Sequence, residues 1–136
     1  MYCNSGQVLS SSHVQVSVEG INCVEFCAGN DALVYIGCND GCIRVLDMNR
    51  MSVISTTPAA PSPGAHEPPV IHALTSVPCG VLSGDGDGVV KLWGMAEGGL
   101  GVRAVQRLHD DAVGDVKMAA SGCVASCSMD GTRRYP

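Results

Sequence analysis

Short runs of alternating apolar and polar residues, each bounded by turn-forming residues, recur along the chain. A period of two is typical of β-strands that bury one face. The pattern predicts four strands in each of two consecutive segments, with an Asp-Gly turn between the second and third strands. Residues 8–18 predict one more strand, the outer strand of a preceding unit. The eight strands read INCVEFC, LVYIGC, CIRVLDM and MSVISTT within residues 21–57, and VIHALTSV, GVLSG, VVKLWGM and VRAVQRL within residues 70–108.

The part of each segment that holds the second and third strands is repeated. IGCNDGCIRVLDM at 36–48 superposes on SGDGDGVVKLWGM at 83–95 with an offset of 47 residues, and SCSMDGTRRYP at 126–136 superposes on 83–93 with an offset of 43. Self-similarity with a period in the mid-forties indicates an array of like structural units. The shared turn dipeptides are Asp40-Gly41, Asp87-Gly88 and Asp130-Gly131.

A four-stranded repeat of this length, with a His near its start and an Asp-Gly turn before a strand that ends in Trp, resembles the WD repeat of β-propellers. His66 and His109 each lie 21 residues before the Asp-Gly of their repeat. The resemblance implies a hydrogen-bonded tetrad of Ser or Thr, Asp, Trp and His inside each blade. The implied tetrad residues are His66, Ser83, Asp87 and Trp93 in the second repeat and His109, Ser126 and Asp130 in the third, and the turn residues of the repeats are Asp40, Gly41, Gly88 and Gly131.

Two repeats depart from that pattern. In the first, Ile36 and Leu46 replace the Ser and the Trp, so that blade would rely on packing alone. In the third, Pro136 stands where the Trp belongs, inside a strand that should continue. We therefore expect a fragment of a longer propeller, because a propeller closes with roughly four to eight blades and the repeats here supply about two and a half.

The predicted fold is all-β: a partial WD-repeat β-propeller of about two and a half four-stranded blades from a seven-bladed whole. Five of the seven prolines lie in residues 57–69, which indicates an extended surface connection between two repeats. The predicted units are the outer strand of a preceding blade at 1–18, a degenerate first repeat at 19–57, the Pro-rich connection at 58–69, a second repeat at 66–108 and an incomplete third repeat at 109–136.

The order of these features is similar to the second to fourth blades of the WD repeat-containing protein 55 family, over about residues 14–135. That resemblance implies a non-enzymatic scaffold that binds proteins of a multi-subunit, pre-ribosomal assembly and serves ribosomal RNA production in the nucleolus. An adaptor of a ubiquitin-ligase or chromatin complex is the alternative within the same class of protein.

Composition and charge narrow the range of partners. With 46% hydrophobic and 15% charged residues the chain is expected to fold, and its net charge of −5, with no basic run longer than Arg133-Arg134, speaks against direct binding of nucleic acid. No apolar run approaches the roughly 20 residues that span a bilayer, and the N-terminal residues lack the pattern of a signal peptide. We expect an intracellular protein without membrane contact, in the nucleus and nucleolus by resemblance or in the cytoplasm.

The stretch GDGDG at 84–88 has two rival interpretations that its surroundings exclude. A phosphate-binding loop needs G-x-x-x-x-G-K-[ST] ahead of a helix, but Lys91 lies within a predicted strand. A calcium loop of the EF-hand type needs a Glu at its twelfth position, where Ala96 stands. Glycine instead supplies the positive φ of a tight hairpin turn, and Asp87 can accept hydrogen bonds from turn amides.

With no nucleophile motif beside either repeat histidine, we predict no catalytic site, cofactor or small-molecule substrate.

Eight cysteines leave one hypothesis of a different class open. Three pairs have the spacing C-x-x-x-C, within the range of zinc knuckles, and the Cys38/Cys42 pair straddles the first Asp-Gly turn. A zinc- or redox-responsive thiol protein would use that pair. The alternative is that the thiols are reduced and act as small apolar fillers of buried strands. The other two pairs are Cys23/Cys27 and Cys123/Cys127.

Overall fold

The computed structural model describes residues 15–16, 20–59 and 67–128, together with the backbone of 133–134. These residues form three antiparallel β-sheets that follow one another along the chain. The first sheet contains β1 (Ile21–Cys27), β2 (Asn30–Cys38), β3 (Ile43–Asp47) and β4 (Ser52–Thr56); the second contains β5 (Ile71–Val77), β6 (Gly80–Asp85), β7 (Val89–Ala96) and β8 (Gly99–Arg107); the third contains β9 (Val113–Met118), β10 (Val124–Ser128) and β11 (Arg133–Arg134).

The strand pairing agrees with the predicted architecture. In both four-stranded sheets the strands lie side by side in chain order, each paired antiparallel with the next. All eight strands predicted for the first two repeats are present, and the all-β fold class is confirmed. Among the described residues, no helix has the length and apolar character needed to cross a membrane.

Some of the predictions fall on residues that the structure does not describe. His66, Asp130 and Gly131 are among them, as are residues 60–66 of the Pro-rich connection. The strand predicted at 8–18 also lies outside the described residues apart from Gln15 and Val16, which are not in a strand. The boundaries of the repeats stay predictions.

Burial differs between an edge strand and a central strand. Burial alternates residue by residue along β4, the outer strand of the first sheet, as expected for a strand with one covered face. All six residues of β6 are buried. The sheet that contains β6 lies between the other two, so both faces of its central strand are covered.

Adjacent sheets pack face to face through equivalent positions. In the first core, Tyr35 and Ile43 of the first sheet pack against apolar side chains of the second sheet. In the second core, Leu82 and Val90, which lie 47 positions later in the sequence, pack against the third sheet. Burial of each such side chain contributes roughly 1.5–3 kcal/mol. The remaining members of the first core are Val45, Ile71, Leu74, Val81, Trp93 and Leu100, and those of the second are Ala73, Val77, Val113 and Val116.

Two glycines allow the sheets to approach each other closely. Gly37 of β2 and Gly84 of β6 occupy equivalent positions, and each faces the first residue of the next sheet. A Cβ at Gly37 would lie 2.7 Å from Cγ2 of Ile71, and one at Gly84 would lie 2.7 Å from Cβ of Val113. A larger residue at either position would push the two sheets apart.

Candidate functional site

The second sheet contains a buried hydrogen bond between two residues of the predicted tetrad. Trp93 Nε1 donates to Ser83 Oγ at 2.9 Å. Ser83 pairs with Lys91 across β6 and β7, so Trp93, two residues further along β7, reaches it diagonally on the same face of the sheet. Both side chains are buried. The hydroxyl therefore satisfies an indole N–H that would otherwise be buried without a partner.

A second buried pair of predicted tetrad residues involves the third sheet. His109 precedes β9, and its Nε2 lies 2.8 Å from Oγ of Ser126 in β10. Both residues are buried. The backbone N–H of His109 donates to the carbonyl oxygen of Gly88, in the second sheet, at 3.2 Å. His109 thus links two sheets, since its side chain is bonded within the third and its backbone to the second.

Gly88 occupies a position at which a residue with a side chain would be strained. It ends the turn between β6 and β7, where its N–H donates to the carbonyl oxygen of Asp85 at 3.3 Å. Its φ is +82°, a conformation that L-residues avoid. A Cβ there would overlap the carbonyl oxygen of His109 and lie 2.8 Å from that of Asp111. Glycine is needed both for the backbone conformation and for the contact with the next sheet.

Asp85 supplies one carboxylate that holds this turn. Its Oδ1 accepts hydrogen bonds from the backbone N–H of Asp87 at 2.9 Å and of Val89 at 3.2 Å. Burial raises the pKa of the Asp85 carboxyl above its ordinary value, and the two amide donors oppose that rise. From the sequence we expected Asp87 to accept hydrogen bonds from turn amides, and that expectation stays a prediction. We did not single out Asp85, although the period of two places Asp85 on the same face of β6 as Ser83.

The first sheet forms the same turn with different residues. Oδ1 of Asp40 accepts a hydrogen bond from the N–H of Cys42 at 3.0 Å. Asp40 also forms a two-point ion pair with Arg44, with N···O distances of 2.8 and 3.1 Å. Hydrogen bonding from the Arg44 guanidinium holds the pKa of the Asp40 carboxyl below its ordinary value. Cys38 takes the buried position that Asp85 has in the second sheet. Gly41, like Gly88, has a positive φ, of +85°.

Apolar packing replaces the tetrad in the first sheet. Ile36 and Leu46, at the positions equivalent to Ser83 and Trp93, are both buried. They belong to one cluster with Val34 and Cys38. The polar pair of the second sheet is therefore substituted by two aliphatic side chains that need no hydrogen-bond partner.

The two turn carboxylates predict opposite effects of pH. Because the pKa of Asp85 is raised above 3.8, the folded state binds more protons than the unfolded state between 3.8 and the raised value, so its contribution to stability falls as pH rises through that window. We expect wild type to gain stability relative to Asp85→Asn as pH is lowered from 7 into this window. The measurement is urea unfolding of both proteins at pH 7, 5.5, 4 and 3.

Asp40→Asn is the matched control for that experiment. The pKa of Asp40 is below 3.8, so its stabilising contribution is present above 3.8 and is lost as pH falls through the lowered value. Wild type should therefore lose its advantage over Asp40→Asn in acid. The same slope for both variants would show that the two carboxylates have been assigned wrongly.

The cysteines of the first turn are buried free thiols, and the surroundings of Cys42 make it poorly reactive. Cys38 and Cys42 lie on either side of the turn. Burial raises the pKa of the Cys42 thiol, and it raises that of Cys23 to about 11. Thiols with raised pKa values stay protonated near neutral pH, which weakens them as nucleophiles and metal ligands. Within the described ranges, no three His, Cys, Asp or Glu side chains are placed to hold a metal ion. The zinc or redox hypothesis stays a prediction.

Comparison with known proteins identifies the fold. No protein-family model and no curated protein matches the chain. Among solved structures, it is similar to the crystal structure of the WD40 β-propeller domain of Doa1, with a TM-score of 0.71 and 20% sequence identity. The match covers 88% of this chain and 37% of that one. At that identity the likeness shows the fold: the three sheets are blades of a WD40-type β-propeller, of which this chain spans a part.

Proposed function

We propose that the chain is part of a rigid, non-enzymatic propeller that binds other proteins through its exposed turns and strand edges. The observation that carries this proposal is that polar residues of the repeat form hydrogen bonds inside the blades. Ser83 and Trp93 are buried and hydrogen-bonded to each other, and so are His109 and Ser126. In the part of the chain that the structure describes, no buried side-chain nitrogen or oxygen lacks a partner. These groups hold the scaffold together, which leaves the exposed residues for recognition.

The assembly we propose for this scaffold is a precursor of the large ribosomal subunit, in the nucleolus. Its support is the sequence resemblance over about residues 14–135, in which the degenerate first repeat, the Pro-rich connection and the complete second repeat follow in the same order. An adaptor role in a ubiquitin-ligase or chromatin complex uses the same fold and is distinguished by the identity of the partners.

Sedimentation of the tagged chain from cell extracts tests this function. We expect wild type to sediment far ahead of the free chain, in fractions that contain large-subunit precursors. Gly88→Ala, which disrupts the contact between blades, should remain at the top of the gradient. Gly29→Ala is the control, because Gly29 has the same φ of +82° and its Cβ position has nothing within 4 Å.

The other outcomes are equally informative. Sedimentation with chromatin or ubiquitin-ligase subunits would favour the adaptor alternative over the pre-ribosomal one. Wild type at the position of the free chain would contradict the scaffold function itself.

A further inference from the structure

The outermost strand of the second blade is exposed over most of its length. β8 is nine residues long and pairs only with β7 among the described strands. Its first residues are covered by the first blade: Leu100 is buried, and a Cβ at Gly99 would overlap Ser55. From Gly101 to Arg107 every residue is exposed. Such an edge presents unpaired N–H and C=O groups with which another extended chain can pair.

The exposed part of β8 is apolar and basic. Val102 and Val105 are 50% and 59% exposed, and the segment 101–107 contains two arginines and no carboxylate. Lys91 of β7 pairs directly with Val105, so its ammonium adds to the positive charge of the same face. An exposed edge with this composition is suited to a partner that is acidic and extended.

Both arginines contact the rest of the protein: Arg107 Nε donates to the carbonyl oxygen of His109 at 3.3 Å, and Arg103 packs against β7. Arg103 is the extra residue of a β-bulge, opposite the Leu92–Trp93 step of β7. Its guanidinium lies against Gly94, where a Cβ would overlap it. A cation with such a contact loses less side-chain entropy when it meets a carboxylate than one without any contact.

The equivalent strand of the first blade lacks these properties. β4 has five residues, Ser52–Thr56, with no charged side chain among them. Its residues alternate between half-buried and exposed. The features of β8 therefore belong to this strand and are not a general consequence of the repeat.

We propose that the edge of β8 from Gly101 to Arg107 binds an extended acidic segment of a partner protein, which adds to the second blade as a fifth strand. Backbone hydrogen bonds provide the affinity, and alternating contacts with the exposed valines and arginines provide the specificity. The inference rests on the proposed protein-binding function and names its surface and the class of its partner.

Electrostatics favours this partner over a second copy of the chain. Two β8 edges paired with each other would place arginines close to arginines, and like charges across a strand pair are destabilising. The net charge of −5 opposes an acidic partner at long range. At about 0.15 M salt, however, charges further apart than about 8 Å are largely screened, so the local cations decide.

The first test compares two labelled peptides on the wild-type chain, Glu-Val-Glu-Thr-Glu-Val-Glu and its counterpart with Lys in place of each Glu. We expect the acidic peptide to bind about tenfold more tightly or better, with an affinity that falls as salt is raised. Hydrogen exchange should show new protection of backbone amides within 101–107. Equal affinity of the two peptides, or binding without protection of β8, would overturn the proposal.

Charge reversal supplies the second test. Arg103→Glu and Arg107→Glu should each weaken binding of the acidic peptide by about tenfold, whereas Lys117→Glu, the same charge change at an exposed position of β9, should alter it less than about twofold. Trp93 fluorescence checks that each variant is folded. If all three variants weaken binding equally, the effect is one of net charge and the β8 site is wrong.

Failure of this inference is distinguishable from failure of the proposed function. If the chain sediments with its assembly but does not bind the acidic peptide, the scaffold function stands and only the proposed β8 site is wrong. Concentration-dependent dimerisation with protection of 101–107 would overturn the choice of partner in favour of a second copy.

Discussion

Replacing Gly88 by Ala is expected to lower the free energy of unfolding by about 2–5 kcal/mol, because the left-handed conformation costs an L-residue about 1–2 kcal/mol and overpacking adds about 1–3 kcal/mol. The φ of +82° accounts for the first contribution. The second arises because the new methyl group would overlap the carbonyl oxygen of His109. Relieving that overlap means lengthening the hydrogen bond from His109 N–H to Gly88, by which the third blade is joined to the second.

Gly29→Ala separates the two contributions. Gly29 lies in the turn between β1 and β2 with an identical φ of +82°, and nothing lies within 4 Å of its Cβ position. Only the conformational cost of about 1–2 kcal/mol should remain there. The measurement is urea unfolding of wild type and both variants. Equal losses of stability at the two glycines would show that the contact with His109 is not a determinant of blade packing.

Removing the indole of Trp93 is the second change with a large expected effect. Trp93 is 5% exposed and belongs to the core between the first and second blades. Truncation of a buried Trp to Ala typically costs about 3–5 kcal/mol. We expect Trp93→Ala to fall in that range, measured by urea unfolding.

A double-mutant cycle isolates the hydrogen bond from the packing. Trp93→Phe keeps an aromatic ring in the core but leaves the Ser83 hydroxyl without its donor, and Ser83→Ala leaves the indole N–H unsatisfied, each at a cost of about 1–3 kcal/mol. The double variant should cost less than the sum, since neither polar group remains. A cycle of Trp93→Phe with Ser126→Ala is the control and should be additive, because Ser126 is bonded to His109 in another blade. Additivity in the first cycle would contradict the Ser83–Trp93 bond.

The strands were predictable because their cause is local. In β3, the polar Arg44 lies between the buried apolar residues Ile43 and Val45, as the period of an extended chain requires, and the recurring Asp-Gly marks the turn where the chain reverses. The resemblance to the WD repeat implied that Trp93 and Ser83 belong to one tetrad, and the structure places them on adjacent strands joined by a short turn. The glycine of that turn was expected for its positive φ, which the structure shows at Gly88.

The role of Asp85 in the turn was not predictable in the same way. Its carboxylate accepts hydrogen bonds from two turn amides. Asp85 is 3% exposed, on the face covered by the first blade, and a buried carboxylate needs the amide donors that its own turn provides. Burial is a property of the packed sheets and has no local signature beyond the strand's alternation.

The strands, their order along the chain and the repeated turns follow from the local sequence, because they depend on hydrogen bonds and side-chain periodicity among near neighbours. Which residues join one blade to the next, and which stay exposed, depends on how the sheets pack. The Gly88–His109 contact and the close approach at Gly84 connect segments from different repeats, and the exposure of β8 beyond Gly101 follows from where the first blade ends. These are consequences of how whole sheets stack, and no short stretch of sequence contains the distances that fix them.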